Sequence, residues 1–85
     1  HGELYIFVFD VHGVCMAHGQ HADYIWQNLL DMRDSYGSPI IQNIINKAQE
    51  GGGWMTYEWR RSTKVSYIKK VEKEGKTYVV GTGYY

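Results

Sequence analysis

The stretch GGGWMTYEW, Gly51 to Trp59, limits what this chain can fold into more than any other. Three consecutive glycines end a helix, and the residues after them switch at once to strand alternation. Glycine adopts positive φ at little cost, so Gly51–Gly53 can close a helix and turn the backbone sharply into a sheet. In an extended strand Met55, Tyr57 and Trp59 share one face, and Trp54, Thr56 and Glu58 share the other. Two indoles and a phenol so close together exceed what core filling needs. Each joins an apolar body to a polar tip, which suits the wall of a small-molecule cavity.

The segments on either side supply the rest of an α+β fold. Leu4 to Asp10 (LYIFVFD) is an almost unbroken apolar run, the mark of a central strand covered on both faces. A turn at Val11-His12-Gly13 leads to a second strand, Val14–His18, completing a hairpin. Gly19 to Tyr36 is mostly irregular, with an apolar patch (Tyr24, Ile25, Trp26, Leu29, Leu30) able to fold over the sheet. Loops of this length inside a small domain are usually functional. Ser38-Pro39 opens a helix, with serine as N-cap and proline as its first residue. Ile40, Ile41, Ile44, Ile45 and Ala48 recur at helical spacing until Gly51 stops it. Strands follow at Trp54–Arg61, Lys64–Lys73 and Lys76–Tyr84, with turns at Arg61-Ser62-Thr63 and Glu74-Gly75.

The expected architecture is thus a five-stranded antiparallel sheet with one main helix and a long loop, in one domain spanning residues 1–85. Helix and loop cover only one face. The other calls for an N-terminal helix outside the fragment or for a self-association surface.

Charge and cysteine content narrow the function. Nine basic and nine acidic residues cancel, which removes the field expected of a nucleic-acid binder or a polybasic membrane-surface protein. Cys15 is the single cysteine; it cannot pair internally, and it fits a cytoplasm or a periplasm equally. No run approaches the roughly 18 apolar residues of a membrane span, and no signal peptide is present, so any export or membrane-tethering segment lies outside this stretch. His12, His18 and His21 lack the spacing of a metal site, and no cofactor motif occurs. Asp31 and Asp34 read as turn formers rather than an acid–base pair, and no nucleophile elbow or phosphate loop is present, so an enzyme is not expected.

YIFVFDVHG, MAH, NLLDMRDSYGSPIIQNII, GGGWMTYEW, VSYIKKV and VVGTGYY, in that order, resemble the Cache domain of the small single-module type. Such domains are PAS-like extracytoplasmic ligand sensors of bacterial chemoreceptors, histidine kinases and stand-alone periplasmic proteins. Their usual long N-terminal helix is missing from this chain. Their frequent His-Pro after the second strand is His18-Gly19 here, and a proline-bearing turn after the tryptophan is replaced by Arg60-Arg61.

The resemblance implies a ligand sensor, and the polar residues below suit a short organic anion such as a carboxylate. His18, at a strand end beside the long loop, is one candidate ligand contact. If the strands flanking Arg61–Thr63 pair across that turn, Tyr57, Trp59, Tyr67 and Lys69 line one concavity, where phenols and an ammonium would bind a carboxylate. The competing reading is a structural or dimerisation module with no ligand, associating as a homodimer through the bare face. Base stacking of RNA on the aromatics is a third, which the zero net charge disfavours.

Overall fold

The computed structural model describes residues 4–59 and 61–84. Five strands, β1 (Leu4–Asp10), β2 (Cys15–His18), β3 (Gly53–Trp59), β4 (Ser62–Lys73) and β5 (Lys76–Tyr84), form one antiparallel sheet in the order β2-β1-β5-β4-β3. A 3-10 turn, Ala22–Tyr24, and one α-helix, α1 (Ile40–Gln49), lie between β2 and β3. This is the expected architecture. Of the strand end expected at Arg60-Arg61, Arg60 lies outside the described residues.

The core lies between α1 and one face of the sheet. Ile40, Ile41, Ile44, Ile45 and Ala48 are all buried against inward residues of the strands, among them Phe7, Phe9, Ile68 and Val79. Each of the four isoleucines contributes about 1.5–3 kcal/mol by leaving water, so this stripe is what fixes the helix to the sheet.

The helix starts one residue later than expected. Pro39, not Ser38, holds the N-cap position and its carbonyl accepts the Asn43 N–H. Ser38 is occupied elsewhere, since its N–H donates to Asp34 Oδ1 and its carbonyl accepts the Asp34 N–H. The other end behaves as read. The Gly52 N–H donates to the Lys47 carbonyl, and Gly51, Gly52 and Gly53 have φ of 118°, 77° and 114°. A Cβ on Gly52 would sit 2.4 Å from the Ile68 carbonyl oxygen. Only glycine lets the chain leave the helix this close to β4.

Two pairings aim the residues that matter. The β1–β2 register shifts between Val8 and Phe9, which pair with Ala17 and Cys15. The extra residue, Met16, is a β-bulge that lets both Cys15 and His18 face the core side, which three residues of regular strand would forbid. On β5, Gly83 and Gly81 stand opposite Tyr5 and Phe7. A Cβ on Gly81 would fall 2.2 Å from the Phe7 ring, and one on Gly83 2.4 Å from the Tyr5 ring. The two glycines are the floor on which these rings lie.

The opposite face is bare among the described residues. Leu4, Ile6, Trp54, Val65, Tyr67 and Val71 are all exposed there, so the uncovered face anticipated from the sequence is present. β1 is interior to the sheet but covered on one side only.

Candidate functional site

Between the sheet, α1 and the 3-10 turn is a small cavity of about 20 Å³. Its polar lining comes from Tyr5, His18, Tyr24, Tyr57 and Trp59, and its apolar lining includes Phe7, Phe9, Leu29, Ile40 and Ile44. The volume suits a single water. A carboxylic acid can enter only if part of the wall moves.

The segment that roofs the cavity is tied to the edge of β2. Cys15 N–H donates to the Gln27 carbonyl, Trp26 N–H to Cys15 and Leu29 N–H to Gly13. These bonds bury Tyr24 and Leu29 as the apolar patch predicts, but they turn Trp26 outward. Trp26 is 70% exposed, with φ of 72°. Its expected place over the sheet is therefore corrected: the residue spends its backbone on the β2 edge, and its ring points to water.

His18 is held in one protonation state. Its Nδ1 accepts the backbone N–H of Gln20 at 3.2 Å and of His21 at 3.1 Å. An acceptor nitrogen is unprotonated, so the proton of the neutral ring sits on Nε2. Burial pushes the imidazole pKa down to about 4, helped by the charge of His21 and opposed by that of Asp23. The ring stacks on Tyr5 (centroids 5.5 Å apart) and meets Tyr24 edge-on (5.4 Å). At Gly19, where the resemblance leads to proline, the N–H donates to the Ile6 carbonyl at 2.8 Å, a bond proline cannot make.

Tyr57 is a second neutral polar group. Its hydroxyl lies 3.0 Å from that of the fully buried Ser66, and burial raises its pKa against the hydrogen bonds from Ser66 and Tyr5. Trp59 completes the wall, edge-on to Tyr24 at 6.2 Å.

The expected quartet divides. The register pairs Tyr57 with Lys64, Met55 with Ser66 and Trp54 with Tyr67. Partners directly opposite in an antiparallel pair project to the same face, so Tyr67 and Lys69 point away from the cavity. Both are exposed, and Tyr67 packs edge-on against Trp54 at 5.1 Å. The shared concavity is corrected for a reason of register. A three-residue turn at Arg61–Thr63 would set Tyr57 opposite Tyr67, whereas the strands are joined by two residues and slip by an odd number, which exchanges faces. Lys64, only 6% exposed, projects from β4 to the same sheet face as Ser66 and Ile68. Sequence reading also missed Tyr5 and Tyr24; the alternation in LYIFVFD placed Tyr5 with Phe7 and Phe9, and that face was the signal.

The whole sequence, residues 1–85, matches the model of the Cache domain family. The chain belongs to that family. Among relatives, the sensor histidine kinase MctS of Rhizobium johnstonii is 32% identical over 87 residues, covering 95% of this chain and 18% of the kinase. The crystal structure of a methyl-accepting chemotaxis protein from Vibrio parahaemolyticus superposes with a TM-score of 0.85 at 26% identity, covering 100% of this chain and 60% of that one. A Cache chemosensory domain studied for carboxylic acid recognition superposes with a TM-score of 0.83 at 20% identity, over 96% of this chain and 59% of that one. This Cache domain thus spans less than two thirds of each. Cache domains are sensory ligand-binding modules of chemoreceptors and histidine kinases; in this one a cavity lies where sheet, helix and roof meet. No helix among the described residues is long and apolar enough to cross a membrane.

Proposed function

We propose that this Cache domain, as one unit over residues 1–85, senses a short organic anion, a small carboxylate, from the periplasmic side of a bacterial membrane-associated receptor. The parent is a chemoreceptor, a histidine kinase or a stand-alone periplasmic sensor. The single observation that carries the reading is the convergence of neutral donors, His18 and Tyr57 with the Trp59 wall, on an apolar cavity under a tied roof. Donors that need no proton rearrangement suit a carboxylate in a drier site. Likeness to a domain that recognises carboxylic acid and to a periplasmic sensor domain of a chemotaxis protein supports the ligand class and the location. Because the cavity has room for about one water, ligand entry displaces the roof, and two arrangements in equilibrium are what a sensor requires. A thermal-shift screen over carboxylates, amines and amino acids tests it: carboxylates raise the unfolding temperature and the others do not.

One observation favours a second reading, a dimerisation module without ligand. The bare sheet face exposes Ile6, Trp54, Val65 and Tyr67 to solvent, the kind of surface two copies would bury. Native mass spectrometry separates the readings, since a retained small acid supports sensing and an empty dimer supports assembly.

A further inference from the structure

The inner cavity has neutral donors, yet the ligand proposed for it is charged. Beyond the Tyr24–Trp59 contact lies a second hollow, wider at about 400 Å³, whose wall includes Met32, Arg33, Asp34 and Arg61. Tyr24, Ile40 and Trp59 border both spaces. We propose that this outer hollow is a carboxylate-binding station, with Arg33 and Arg61 as its cationic wall, from which the anion passes inward when the Tyr24–Trp59 contact opens. The inference rests on the sensing function proposed above and names the site where the charge is first met.

Both arginines have binding capacity to spare. Arg33 Nη1 donates to the Gly37 carbonyl at 3.1 Å, one of the five N–H groups a guanidinium offers. Neither arginine has a carboxylate partner among the described residues. The acid in the wall, Asp34, is engaged by the loop: its Oδ1 accepts the N–H of Tyr36 at 2.9 Å and of Ser38 at 2.8 Å. Arg61 sits at φ of 68°, a left-handed position that glycine or asparagine fills more cheaply, so its side chain is present at a conformational cost. Planar guanidiniums match carboxylates in bidentate fashion. Two of them at the mouth of an apolar cavity would raise the local concentration of anions.

The test is stopped-flow tryptophan fluorescence with acetate, propionate and succinate, comparing wild type, Arg33→Gln/Arg61→Gln and Lys69→Gln. The double variant should associate about tenfold more slowly at low salt, with the deficit shrinking as salt rises and with its dissociation rate unchanged. Lys69→Gln removes one charge from the opposite face and should match wild type. Wild-type association by the double variant overturns the station, as does equal slowing by Lys69→Gln. Failure of all three acids to bind wild type overturns the sensing function, and the station with it.

Discussion

The backbone N–H of His21 donates to Nδ1 of His18 across 3.1 Å, and this bond, with that of Gln20, makes the strand-end histidine a fixed neutral donor. The Met16 bulge aims the ring, and burial keeps it uncharged.

Stability should therefore fall in acid. The folded-state pKa of His18, about 4, lies below its ordinary 6.5, so below pH 6.5 the unfolded chain binds the proton more readily. The associated stability is complete above pH 6.5 and lost progressively as pH falls toward 4. Thermal melts across that window should show a declining midpoint, and His18→Gln should flatten this part of the decline.

Tyr57→Phe leaves the buried Ser66 hydroxyl without its 3.0 Å partner. It should destabilise the fold by about 1–2 kcal/mol and weaken carboxylate binding several-fold. Lys69→Ala and Tyr67→Phe should leave affinity within twofold. Urea unfolding and calorimetric titration of the three variants check both statements.

Gly81→Ala forces a Cβ into the Phe7 ring, 2.2 Å away. The ring lines the cavity, so displacing it should cost about 1–3 kcal/mol of overpacking and abolish ligand binding as well. Urea unfolding reads the first effect and titration the second.

The β4–β5 hairpin turns on Glu74 and Gly75, with φ of 54° and 77°. Asn-Gly favours this geometry, so Glu74→Asn should stabilise the domain by about 0.5–1 kcal/mol, measured as a rise in the urea midpoint at unchanged slope.

Much of this fold could be read before any coordinates. The isoleucines of α1, the glycines after it and the alternating aromatics of β1 and β3 each follow a period that dictates one face, and the sheet follows from their order. The site was legible only in part. Tyr57, Trp59 and His18 are where the alternation and the strand end put them. Tyr67 and Lys69 are not, because Arg61 takes a left-handed turn position without the glycine or asparagine that announces one, and the register depends on that turn. The Met16 bulge leaves no sequence signal either. Cavity size depends on how Tyr24, Leu29 and the ring of Tyr5 settle together, which no local pattern encodes.

Three indoles report from three places: Trp59 in the cavity wall, Trp54 on the bare face and Trp26 on the outside of the roof. Their N–H resonances in a 15N-labelled sample, followed while acetate, propionate or succinate is added, locate the ligand directly. If the cavity under the roof is the sensing site, the Trp59 signal shifts saturably and the Trp54 signal stays in place. A saturable shift of Trp54 with Trp59 unmoved would put the ligand on the opposite face and contradict the account.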